Sequence, residues 1–150
     1  MPTVRITKIF RFEMAHALWN YEGQCKNIHG HSYILSVTLS GNPKNEISHP
    51  EDGMLMDFGK LKKLIKTKVI DLFDHAFVVN AASPQSKELK NMSTPFENIK
   101  IVDFQPTSEN LIIHFAEIIQ TLLPEKNTLY SLKLSETDTS YVEWFRNQNE

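Results

Sequence analysis

The sequence contains one cysteine, Cys25, which excludes an internal disulfide. A lone thiol fits a reducing setting, so a cytoplasmic location is expected. No apolar run approaches the ~18 residues of a membrane-spanning helix. The opening stretch Met1-Pro2-Thr3-Val4-Arg5-Ile6 lacks the apolar centre of a secretory signal. Excess charge of either sign is also missing. The formal net charge of −2 makes neither nucleic acid nor an anionic membrane the expected main partner. An anionic small molecule would need a local basic pocket. Internal repeats, low-complexity runs and domain linkers are absent.

What is present is a chain of 150 residues, 41% hydrophobic and 10% aromatic. That is enough for one buried core, and residues 1–150 are expected to form a single domain. The stretch that organises it is Cys25-Lys26-Asn27-Ile28-His29-Gly30-His31. In a strand, residues i and i+2 share a face, so His29 and His31 can aim at one point. Gly30 between them lets a second backbone or a ligand come close.

Residues 4–16 read as a strand in which Phe10, Phe12, Met14 and His16 share one parity. Residues 32–40 read as a second, with Tyr33, Leu35, Val37 and Leu39 in line with His29 and His31. If the two pair antiparallel, His16, His29 and His31 converge at one end of a sheet. Three imidazoles with a fourth position open is the pattern of a catalytic zinc site. Residues 41–53 read as a polar loop. Residues 58–73 carry Phe58, Leu61, Leu64, Ile65, Val69 and Leu72 at helical spacing, with lysines on the other face.

The polar stretch 81–98 is long for a structureless loop. Ile99-Lys100-Ile101-Val102 reads as a short strand. Thr107 reads as the N-cap of a helix that ends at Pro124, with Leu111, Phe115, Ile118, Ile119 and Leu122 on its apolar face. Strands near 128–136 and 140–146 follow. The order β-β-α-α-β-β predicts an α+β architecture, an antiparallel sheet with helices on one face.

Other residues carry two readings. Cys25 beside a dication is a thiolate base or nucleophile; elsewhere it is an inert small side chain. Asp74 and His75 form an acid–base pair or, respectively, a surface charge and a last-turn cation. Glu136, on the inward parity of Leu132 and Leu134, accepts two N–H bonds from a guanidine-like ring edge or sits in solvent. His49 reads as a solvated loop residue and His114 as a core or interface histidine.

These residues stand in a familiar order. Phe12-Glu13-Met14-Ala15-His16, Cys25-x-x-x-His29-Gly30-His31, Met56-Asp57-Phe58, Leu72-Phe73-Asp74-His75, Pro106-Thr107-Ser108-Glu109-Asn110 and Glu136-Thr137 resemble the 6-pyruvoyltetrahydropterin synthase family over nearly the whole chain. The three-residue gap between Cys25 and His29 resembles the bacterial 6-carboxytetrahydropterin synthases of queuosine biosynthesis. The resemblance implies a tunnelling fold (T-fold), a four-stranded antiparallel sheet backed by two helices, assembled as a homohexamer of two trimers. It implies Zn2+ on His16, His29 and His31, with Cys25 as general base. Asp74 and His75 would complete the relay from a neighbouring subunit. Glu136 would anchor the pterin, with Thr107 and Glu109 close to its ring. The implied reaction takes 7,8-dihydroneopterin triphosphate to 6-carboxy-5,6,7,8-tetrahydropterin, acetaldehyde and triphosphate. Alternatives are the pyruvoyl-type elimination and a non-catalytic pterin- or metal-binding module. The 81–98 stretch is longer than in compact bacterial members.

Overall fold

The computed structural model describes residues 2–92 and 98–148. Two long strands form its spine. β1 (Val4–Ala17) and β2 (His29–Gly41) pair antiparallel from Val4↔Gly41 to His16↔His29. Alternation puts Phe10, Phe12, Met14, Tyr33, Leu35, Val37 and Leu39 on one buried face. Ile9, Arg11 and Glu13 fall on the opposite, exposed face.

β5 (Thr128–Thr137) pairs with β2, and β6 (Ser140–Phe145) pairs with β5, both antiparallel. Those four strands are the expected antiparallel set. The sheet is larger than expected, however. β3 (Ala76–Asn80) lies parallel to β1 and β4 (Ile99–Val102) parallel to β3, giving six strands in the order β4-β3-β1-β2-β5-β6. The physical reason is the helix after β2. It carries the chain back along the sheet, so the next strand enters parallel to β1.

That helix begins as α1 (Phe58–Ile65), capped by Asp57, whose carboxylate accepts the Lys60 N–H at 2.9 Å. It continues through a π-helical turn (Lys66–Ile70) into a last α-turn, α2 (Asp71–Phe73). The wider turn shifts the buried stripe by one residue. Leu61, Ile65, Val69, Ile70 and Phe73 are buried, whereas Phe58 and Leu72, expected inside, are about half exposed at 50% and 46%.

α3 (Ser86–Asn91) occupies part of the long polar stretch; residues 93–97 of that stretch lie outside the described residues. α4 (Ser108–Leu122) starts at Thr107, whose hydroxyl accepts the Asn110 N–H at 3.3 Å. Leu111, Phe115 and Ile119 of α4 join Leu61, Ile65 and Phe73 in one apolar cluster against the sheet. Phe12 stacks on Tyr33 at 5.0 Å and meets Phe115 edge-on at 6.1 Å within it. In the 41–53 loop, Glu51 is gripped by Lys44 and Lys60. His49 of that loop, expected in solvent, is half-buried, its Nδ1 accepting the Glu51 N–H at 2.9 Å.

Candidate metal centre

The end of the β1–β2 ladder brings three histidines together. His16 pairs with His29 across the strands, and His31 is opposite Met14. One side-chain nitrogen from each of His16, His29 and His31 lies within 4.8 Å of the other two. The ring centroids are 4.5, 5.3 and 5.1 Å apart. Gly30, between His29 and His31, lies tight against the backbone of β1. A Cβ there would stand 3.3 Å from the Met14 carbonyl oxygen.

Two of the rings are oriented by backbone carbonyls. His16 Nδ1 lies 2.6 Å from the Pro106 oxygen, and His29 Nδ1 lies 2.8 Å from the Asn27 oxygen. A carbonyl only accepts, so both Nδ1 atoms carry the proton in the neutral rings. Both Nε2 atoms then present lone pairs, and they face each other at 3.0 Å. Two lone pairs at that distance repel unless a cation lies between them. Tetrahedral ligands ~2.0–2.1 Å from zinc stand ~3.3–3.4 Å apart, close to the observed spacing. The third ring supplies an orphan: His31 Nε2 is buried without a hydrogen-bond partner. Burial lowers the pKa of His16 against the opposing pull of the Pro106 carbonyl, which favours the neutral, ligating form. The donor set thus fits a divalent transition metal with an open position.

Around this triad lies a polar wall. Glu136 Oε1 is 3.6 Å from His31 Nε2, and its Oε2 takes a short hydrogen bond from Ser108. Tyr33 is buried edge-on to the rings of His31 and His16, with its hydroxyl near that of Ser108. Burial and then the Glu136 charge push its pKa up, so the phenol stays protonated. Ser108, Glu109 and Glu136 line a cavity of about 180 Å³ with Tyr141. Sequence reasoning misses Ser108 and Tyr33 here. Ser108 reads as an ordinary first helical residue and Tyr33 as core.

Residues 5–147 match the model of the 6-pyruvoyl tetrahydropterin synthase family. The chain belongs to that family. It is 32% identical over 143 residues to a 6-carboxy-5,6,7,8-tetrahydropterin synthase of Haemophilus influenzae, covering 93% of this chain and 97% of that one. It is 30% identical over 150 residues to a 6-pyruvoyl tetrahydrobiopterin synthase of Dictyostelium discoideum, covering 93% and 94%. Among solved structures, the 6-pyruvoyl tetrahydropterin synthase of Caenorhabditis elegans superposes with a TM-score of 0.70 at 26% identity, covering 97% and 96%.

The remaining residues singled out in this synthase-family chain are spread more widely. Cys25 is exposed on a 3₁₀ turn (Gln24–Lys26) and is not one of the clustered donors. Asp74 and His75 bond each other, Oδ1 to Nδ1 at 3.0 Å, although neighbouring side chains are expected to diverge. A positive φ of 60° at His75 turns its ring back onto Asp74. The Asp74 carboxylate also accepts the Glu13 N–H at 2.9 Å, and the His75 N–H donates to the Glu13 oxygen at 2.6 Å. Burial raises the Asp74 pKa, but the Glu13 backbone N–H and the His75 ring outweigh it and the net shift is downward. The pair thus makes its bonds to β1 rather than to the triad. His75 and His31 share only the wall of an open cavity of about 380 Å³. Thr107 is engaged as the cap of α4, and Glu109 is exposed at the cavity beside Glu136. His114 lies among the rings of Phe73, Phe104 and Phe115.

Proposed function

We propose that this protein is a zinc-dependent lyase that converts 7,8-dihydroneopterin triphosphate to 6-carboxy-5,6,7,8-tetrahydropterin, releasing acetaldehyde and triphosphate. The observation that carries the reading is the pair of imidazoles, His16 and His29, facing each other through Nε2 at 3.0 Å with His31 beside them. The similarity to bacterial enzymes of that name supports the choice of product.

His16, His29 and His31 would hold a zinc ion, which would supply Lewis acidity to the hydroxyls of the substrate's side chain. Glu136, steadied by Ser108 through one oxygen, offers the other to the amino-pyrimidine edge. Cys25 removes the proton from the side-chain carbon next to the ring. Asp74 and His75 complete the proton relay. Their bonds within the chain run to Glu13 and not to the triad, which is compatible with a relay assembled between copies of the chain, as in a homohexamer. Such a complex would work in the cytoplasm on a small-molecule substrate.

The pyruvoyl-type reaction is the second reading, favoured by the Dictyostelium relative. Incubation with dihydroneopterin triphosphate decides between them. Acetaldehyde and a carboxypterin mass support the proposal. Triphosphate loss with all carbons retained supports the second reading. Tight pterin binding without turnover at full zinc occupancy would leave a binding module.

A further inference from the structure

The loop 18–28 carries Cys25 and is exposed along most of its length, yet one side chain from a distant part of the chain grips it. Gln105 lies in the link between β4 and α4, half-buried. Its Oε1 accepts the Trp19 N–H at 3.2 Å, and its Nε2 donates to the Trp19 oxygen at 2.8 Å. The amide therefore pairs with one backbone residue in both directions, as a neighbouring strand would. The same Oε1 accepts Asn80 Nδ2 at 3.2 Å, and the Gln105 carbonyl accepts Asn110 Nδ2 at 3.0 Å. Gln105 is thus fixed from β3 and from α4 before it reaches the loop.

The next bond along reaches the cysteine. The Leu18 N–H, adjacent to Trp19, donates to the Cys25 carbonyl at 2.9 Å and closes the loop on itself. Immediately after Gln105, the Pro106 carbonyl orients His16. One two-residue stretch, 105–106, therefore fixes a triad ring through its backbone and the Cys25 loop through a side chain.

We infer that Gln105 is a positioning residue that sets the Cys25 loop against the three-histidine centre. Its role in turnover rests on Cys25 acting as the base; its grip on the loop does not. An amide is required because one end must donate and the other accept. A carboxylate keeps the acceptor for Trp19 N–H but sets an oxygen against the Trp19 carbonyl. An alanine removes both bonds.

The test uses the zinc-loaded full chain and its Gln105→Glu and Gln105→Ala variants. Amide hydrogen exchange over 18–27 is read without substrate. In both variants it is expected to rise by roughly tenfold or more, with exchange in β1 and β2 unchanged. Zinc content is expected to hold and kcat to fall, with KM little altered, since the loop supplies the base and not the binding contacts. Unchanged exchange over 18–27, or faster exchange there with kcat intact, overturns the inference. So does faster exchange across the whole sheet with zinc lost in both variants, because Gln105 would then support the fold and not the loop. A native protein with no turnover defeats the lyase reading, a Cys25→Ala variant with full turnover removes Cys25 from the mechanism, and in either case the exchange measurement decides the grip alone.

Discussion

His16 Nε2 and His29 Nε2 stand 3.0 Å apart while each ring's Nδ1 turns to a backbone carbonyl, Pro106 for one and Asn27 for the other. These outer bonds fix which nitrogen is free. They come from chain segments 90 and 2 residues away, so the site is set by tertiary structure and not by the local motif alone.

Removal of any one triad ring should abolish stable metal binding. Each of His16→Ala, His29→Ala and His31→Ala is expected to weaken zinc by more than the roughly 10–100-fold that loss of an outer-shell partner costs. Metal content after dialysis, read beside circular dichroism to confirm folding, checks this. Retention of one zinc per chain in any variant contradicts it.

Acid should release the metal. Burial holds the His16 pKa below 6.5. As pH falls, an unfolded chain takes up that proton first, so folding stability declines from about pH 6.5 downward. The folded, metal-free ring protonates only at lower pH, and protons compete with zinc from there. Zinc occupancy is expected to be flat from about pH 8 to about pH 6.5 and to fall below that, measured by equilibrium dialysis.

The shifted stripe in the second half of the first long helix is open to a stability test. Phe73→Ala should cost about 3–5 kcal/mol, the usual range for a buried aromatic. Leu72→Ala, at a position 46% exposed, should cost much less, about 0.5 kcal/mol. Denaturant unfolding of the two variants would show the reverse order if the helix kept a straight 3.6-residue period.

Much of this molecule is legible in its sequence, for physical reasons. Period-2 alternation from Phe10 to His16 and from His29 to Leu39 exposes both spine strands and aligns the three histidines. The cap at Thr107 and the end at Pro124 mark α4. The five-residue strand Ala76–Asn80 is too short to show a period, and its parallel pairing depends on a crossover that no local signal encodes. The π turn is equally silent, because it changes which residue faces inward without changing composition. The partners of the site are the least visible. Gln105, Ser108 and the Pro106 carbonyl act through distances set by the folded chain.

Glu136→Gln should leave zinc bound and weaken pterin binding. Loss of a charged hydrogen-bond acceptor costs about 1.5–3 kcal/mol, or roughly 10–150-fold in Kd. Titration with a free pterin by fluorescence checks it. Equal affinity in the variant would remove Glu136 from the binding site.

Assembly of the site from more than one copy is also testable. Cys25→Ala and His75→Ala homo-oligomers should each be inactive with dihydroneopterin triphosphate. Co-refolded mixtures should regain part of the native rate, because some sites then combine an intact Cys25 with an intact His75 from another copy. Mixtures as inactive as their parents contradict an intersubunit relay.

The most direct measurement is zinc K-edge X-ray absorption on the metal-loaded protein. Three imidazole nitrogens and one exchangeable light ligand at ~2.0–2.1 Å are predicted, with no sulfur, because the proposal gives Cys25 the proton and not the metal. A sulfur shell at ~2.3 Å, or fewer than three imidazoles, would contradict the account.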